Sequence, residues 1–277
     1  MAVPRFVDYW VLLLDILGFS AQMADEKKRA ELASAYHDIV DALPSPSNVV
    51  MSAHVRPMNM EHESVEARLE KMKREWSDHV RVFSDSMFFF FGGYIPNTHP
   101  ASPYLLGATA REIMTRLWLR RIPHRGSIAF GPCHLNPTKN IFVGPAIVEA
   151  HRWEQAQNWL GVSVAPGSSL FNARANNAGP ATGSAGIGRA SFVQDASVPT
   201  KKGYETTWAL NPFKRLIPPE IAGKEGDLLP YFIDCYEEAK RTAPDALPKY
   251  ANTARFLLSQ GIGTEEPALA EIARICA

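Results

Sequence analysis

Apolar positions in this chain fall into short solid runs, separated by segments where they recur at three- and four-residue steps. Residues 9–16, Tyr-Trp-Val-Leu-Leu-Leu-Asp-Ile, are apolar on both alternating faces except for one aspartate, the pattern of a buried strand. Gly18 breaks that run and Ser20 can cap the next helix. Over residues 21–43, Met23, Ala30, Leu32, Ala35, Tyr36, Ile39 and Val40 recur at helical spacing, and Pro44 and Pro46 close the segment. A charged helix is expected over 63–76, with Val65, Leu69 and Met72 as a thin apolar stripe. Residues 80–91 read as a β-hairpin turning near Ser84-Asp85-Ser86, with Phe88 to Phe91 on the return strand. An amphipathic helix over 103–119 comes next, then a short strand over 125–131 and a turn with a second strand over 132–143. A helix over 145–159 and a strand over 160–165 complete the first part.

After Pro166 the register changes. Residues 171–190 are rich in Ala, Gly and Asn and read as helix followed by loop. A second hairpin is expected from 191–198 and 204–210 around Lys201-Lys202-Gly203. The last sixty residues read as three helices, 227–243, 247–260 and 264–275. The third opens on Thr264-Glu265-Glu266-Pro267, a capping residue with acidic first-turn positions. The expected architecture is α/β (α+β) with two parts, residues 1–165 and a mainly helical extension over 166–277.

Composition narrows the function. The chain has 277 residues, 46% of them apolar, enough for a sizeable core. Lys plus Arg and Asp plus Glu balance at 29 each, so no basic excess argues for nucleic acid or for a membrane surface. No run approaches the ~20 apolar residues that span a bilayer, and no signal segment is legible at the start, so a cytoplasmic location is expected. Cys133, Cys235 and Cys276 are scattered and odd in number, which fits reduced, structural thiols rather than a disulfide or zinc framework. The eight histidines are dispersed, and Gly183 to Gly188 lacks the strand and apolar helix that a dinucleotide fingerprint needs.

The candidate chemistry sits on two aspartates. Asp15 lies in Val11-Leu12-Leu13-Leu14-Asp15-Ile16, and Asp85 in Val82-Phe83-Ser84-Asp85-Ser86-Met87. A carboxylate amid such residues is costly to bury unless it is paired, hydrogen-bonded or bound to a metal. Two of them on neighbouring strands suggest a shared cation. Divalent Mg or Mn is usually held by one or two carboxylates together with substrate phosphates. Gly18-Phe19-Ser20, directly after Asp15 at a strand-to-helix junction, offers backbone N–H groups to a phosphate. Together these outline a two-metal nucleoside triphosphate site; two solvated turn residues with no ligand are the plainer alternative.

Asp15-Ile16-Leu17-Gly18-Phe19-Ser20 on a first strand, with Ser84-Asp85-Ser86 at a hairpin tip, resembles the catalytic domain of class III nucleotidyl cyclases. Arg125 to Gly131 is similar to their Arg-x-Gly-Ile-x-x-Gly strand, and Gly144 to Arg152 to their Gly-x-x-Val-Asn-x-Ala-x-Arg helix. The resemblance spans residues 8–165, with the elements in the same order. It implies a ferredoxin-like cyclase domain and two Mn²⁺ or Mg²⁺ ions per active site, held by Asp15, Asp85 and the Ile16 carbonyl. It further implies triphosphate binding along Leu17, Gly18, Phe19 and Ser20. Arg152 would reach over from the partner of a homodimer to the transferring phosphoryl group. Arg81, where those enzymes carry an adenine-reading lysine, becomes a candidate for base or phosphate contact.

Departures refine the implied substrate. Val148 replaces the usual helix asparagine, and Ile141, beside Asn140, replaces the base-reading aspartate. The segments Ala150 to Gly161, Ser197 to Gly203 and Trp208 to Pro212 are similar to those of the pyrimidine cyclases of bacterial Pycsar antiphage defence. That likeness implies UTP as preferred substrate, with 3′,5′-cyclic UMP signalling to a separate effector protein. CTP, or a purine triphosphate, is the alternative. A catalytically silent nucleotide-binding module is the reading from another class.

Overall fold

A computed structural model describes residues 5–42, 79–92, 103–168, 192–213 and 227–275. The helix expected over 63–76 and the helix and loop expected over 171–190 lie outside the described residues. Strand β1 (Val7–Ile16) is followed by α1 (Phe19–Ala24) and α2 (Glu26–Ala42), then the hairpin β2 (Val80–Phe83) and β3 (Ser86–Gly92). Helix α3 (Pro103–Leu119) leads into β4 (His124–Asn136), β5 (Ile141–Val143), α4 (Pro145–Ala156) and β6 (Val162–Val164). A second hairpin, β7 (Phe192–Thr200) and β8 (Gly203–Leu210), precedes α5 (Leu229–Thr242), α6 (Leu247–Ser259) and α7 (Pro267–Arg274).

The strands form one mixed sheet in the order β2-β3-β1-β4-β6-β8-β7, with β5 paired to β4. Its first four strands are all antiparallel neighbours. With helices after β1 and before β4, they make the βαββαβ arrangement of a ferredoxin-like unit. β6 then adds parallel to β4, and the β8–β7 hairpin extends the same sheet. The fold is thus α/β, with helices on both faces.

Because β1 is central, its two rows of side chains are both buried. Trp10, Leu12, Leu14 and Ile16 pack against Leu32, Ala35 and Ile39 of α2 and Ile113, Met114 and Leu117 of α3. Val11 and Leu13 face the other way, toward Ala150 and Trp153 of α4 and toward the helices α5, α6 and α7. A continuous apolar run, usual in parallel sheets, here marks an antiparallel strand covered twice.

Several boundaries differ from the sequence expectation, each for a local reason. The helix expected over 21–43 is two, since Asp25 is extended (φ −94°, ψ 121°) and its carboxylate accepts the Lys28 N–H at 3.0 Å, capping α2. β4 runs to thirteen residues because it pairs with β1 over 124–133 and with β5 over its last three, 134–136. α4 stops at Ala156, where Gln157 turns extended and sends its amide into the sheet to donate to Gly126 O at 2.8 Å. β7 continues through Pro199, tolerated because β7 ends the strand order and needs no donor on its outer side.

Candidate functional site

Asp15 is the penultimate residue of β1, at the end of the row that carries Val11 and Leu13. Register places it between Ser86 of β3 and Arg125 of β4. Gly126, next along β4, allows this close pairing: a Cβ there would lie 2.3 Å from Leu13 O. Asp85 reaches the same place from a tight turn. Phe83 pairs with Ser86, leaving Ser84 and Asp85 as a two-residue loop, with Ser84 in the left-handed region at φ 56°. The loop is pinned twice. Ile16 N–H donates to Asp85 O at 2.8 Å, and the Tyr36 hydroxyl from α2 donates to Ser84 O at 3.0 Å. Asp85 is therefore a half-buried turn residue held against the end of β1 rather than part of a strand.

Two further charged residues complete the cluster. Arg125 lies 3.5 Å (Nε to Oδ2) from Asp15 and forms an ion pair with Glu154 of α4, whose side chain is 1% exposed. Arg125 also donates to Gln157 O at 3.3 Å. Asp15 and Glu154 thus flank one buried guanidinium, and Asp85 stands close enough to Asp15 to act on its charge. Burial, followed by the charge of Glu154, pushes the Asp15 carboxyl up to about 6; Arg125 opposes the rise and Asp85 adds to it. Burial, with the fields of Asp85 and Asp15, likewise pushes the Tyr36 hydroxyl up. His124, paired in register with Ile16, is fully buried beside Ile122 O at 2.9 Å and pushed down to about 4 by burial, a neutral core histidine.

Such a cluster is short of positive charge. Asp15 and Asp85 are hard oxygen donors of the kind Mg²⁺ and Mn²⁺ take, and two carboxylates suffice when phosphates and water supply the rest. The residues fit a divalent cation on that ground. Among the described residues no group of three or more His, Cys, Asp or Glu side chains is placed to hold a metal by itself.

Beside this cluster, Gly18 adopts φ 70°, a left-handed conformation that glycine takes without strain, and starts α1. Gly18 and Ser20 are exposed, and Phe19 packs against the core. First-turn N–H groups of a helix lack partners within it. The Leu17 N–H is already committed to Pro123 O at 2.9 Å. On α4, Glu154 turns inward and Arg152 is exposed, one turn beyond Val148, itself 56% exposed. Arg81, on β2, lays its guanidinium 4.3 Å over the Phe142 ring of β5.

Sequence reasoning named Asp15 and Asp85 but missed Glu154, Arg125 and Tyr36 as site residues. Glu154 left one signal, an acid on the buried stripe of α4 that holds Ala146, Ala150 and Trp153.

No family model matches the chain, and no curated protein does. Among solved structures, the chain is similar to the crystal structure of the adenylyl cyclase CyaB from P. aeruginosa. That match has 12% identity and a TM-score of 0.47, over 78% of this chain and all of the other. A likeness of that size assigns no chemistry. Among the described residues, no helix is long and apolar enough to cross a membrane.

Proposed function

We propose that this protein is a nucleotidyl cyclase that closes UTP to 3′,5′-cyclic UMP with release of pyrophosphate. The observation that carries the reading is the pairing of Asp15 with Asp85, held by the Ile16 N–H to Asp85 O bond directly beside the Gly18 loop. Bound divalent cations would supply charge neutralisation to the triphosphate and a lowered pKa at the ribose 3′-hydroxyl. The chain's own part is positional. Asp15 and Asp85 hold the cations, with the Ile16 carbonyl as a further oxygen, and Gly18, Phe19 and Ser20 present N–H groups to the β- and γ-phosphates. Arg125 and Glu154 fix the Asp15 carboxylate from behind.

Arg152 fits the homodimer reading. It is exposed on α4, one turn from the exposed Val148, so a second copy could receive it at the α-phosphoryl group, where a cationic finger is worth ~10³-fold in rate. Arg81 is the candidate for base contact. Pyrimidine choice is supported by Val148 and Ile141 standing where purine cyclases keep polar groups. Cyclic UMP would then serve as a signal to a separate effector protein in antiphage defence.

The test is incubation of purified protein with Mn²⁺ or Mg²⁺ and each of the four ribonucleoside triphosphates, with products identified by mass. Cyclic UMP plus pyrophosphate is the expected result, abolished in Asp85→Ala. Cyclic CMP, AMP or GMP would reassign the base. Triphosphate binding without turnover would support a silent nucleotide-binding module, and full activity in Asp85→Ala would remove the site assignment.

A further inference from the structure

Helix α4 is locked onto β4 and β6 by buried hydrogen bonds along one face. The Ser127 hydroxyl of β4 donates to Ala150 O at 2.6 Å, and Trp153 Nε1 donates to the Ser163 hydroxyl of β6 at 2.9 Å. Ser163 donates in turn to Gln157 Oε1 at 2.9 Å, and Gln157 Nε2 to Gly126 O at 2.8 Å. Glu154 is carried inward on that face, 1% exposed. Its carboxylate cannot swing out to water unless α4 itself moves.

One nitrogen of Arg125 faces two acids. Nε pairs with Glu154 Oε1 and lies 3.5 Å from Asp15 Oδ2, the longer of the two contacts. A second guanidinium nitrogen donates to Gln157 O at 3.3 Å. A guanidinium with a single carboxylate partner ordinarily closes on it through two short parallel bonds. Arg125 instead stands off Asp15 and leans toward Glu154. The charge of Glu154 weighs more on Asp15 than that of Arg125 does, so the guanidinium leaves Asp15 short of compensation. Without Glu154, Arg125 would keep only Asp15 and Gln157 O, and would close over the oxygens a metal ion needs.

We propose that Glu154 is a positioning residue for the candidate cation site: it draws the Arg125 guanidinium to itself and so keeps the Asp15 carboxylate open to a divalent cation. The role rests on the reading of Asp15 as a cation ligand and is independent of the substrate. It gives a reason for an acid on the buried face of α4, where desolvating a charge is costly.

The experiment is Mn²⁺ titration of the full chain, read by electron paramagnetic resonance, together with a metal-free crystal structure of Glu154→Gln. Wild type is compared with Glu154→Gln, with the double variant Arg125→Gln/Glu154→Gln, and with Asp15→Asn. Glu154→Gln should bind Mn²⁺ about tenfold more weakly, since one charge-assisted bond must then be broken. Its Arg125 should lie within ~3 Å of both Asp15 oxygens. The double variant leaves neither member of the pair buried alone and should recover wild-type affinity to within about twofold. A merely structural part for Glu154 would give no such recovery. Unchanged affinity in Glu154→Gln, an Arg125 that stays in place, or a double variant as weak as the single one would overturn the proposal. Should Glu154→Gln not fold, the double variant decides alone: wild-type affinity supports the role, and a loss overturns it. If wild type and Asp15→Asn take up Mn²⁺ alike, the site reading and this role fall together. If the variants behave as expected and no cyclic product forms, the proposal stands and the cyclase reading falls.

Discussion

Replacing Asp15 by asparagine should stabilise the cation-free protein at neutral pH while removing its response to Mn²⁺. The carboxyl is raised from 3.8 to about 6, mostly by burial and by Glu154. For an acid raised on folding, the folded state binds more protons than the unfolded one between those values. Wild-type stability is then fully present below about pH 4 and declines as pH rises through about 6. At about 1.4 kcal/mol per unit, the full shift corresponds to ~3 kcal/mol. The Asp15 side chain is 18% exposed, and asparagine gives up the contact with Arg125, so ~1–3 kcal/mol is the expected gain at pH 7.5. The assay is urea unfolding in EDTA at pH 4, 5.5 and 7.5. The two proteins should converge at the acid end and separate toward pH 7.5. Added Mn²⁺ should raise the wild-type midpoint and leave Asp15→Asn unmoved, because only a ligand of the folded state shifts that equilibrium. A variant no more stable than wild type at pH 7.5 in EDTA would refute the charge-crowding argument.

Two further outcomes rest on the same geometry. Glu154→Gln should cost about 3 kcal/mol, read from the denaturant midpoint, because Arg125 loses its buried counter-charge; the Asp15 carboxyl should also titrate lower, with Glu154's field gone, and unchanged stability would mean Asp15 alone sustains Arg125. Mixing Arg152→Ala with Asp85→Ala should recover part of the cyclase activity through hybrid dimers, measured as cyclic UMP formed, and no recovery would count against a site shared between two copies.

The strands and most helices were legible because their apolar positions follow one period at a time, as in residues 9–16 and 103–119. Boundaries failed where a side chain acts on the backbone. Asp25 splits a helix by capping its second half, and Gln157 ends one by bonding into the sheet; neither event changes hydrophobic periodicity. The two aspartates stood out as charges among apolar neighbours. Arg125 and Glu154 did not, since each is an ordinary surface residue type whose burial comes from pairing across the sheet and α4.

The face of β1 that bears Val11, Leu13 and Asp15 is covered by α4 and by helices built from residues 229–274. During synthesis β1 leaves the ribosome early, while its cover is still untranslated. At ~5–20 residues per second, β1 waits roughly 10–40 s before α5 is made. Through the later part of that interval α4 alone covers this face, and the apolar surface meant for the last helices stands open. A chain interrupted before α6 would present that side to any aggregation partner. Completion of the last helices therefore seals that face: a chain stopped short of them keeps Asp15, Asp85, Arg125 and Glu154 but lacks part of the apolar cover behind β1.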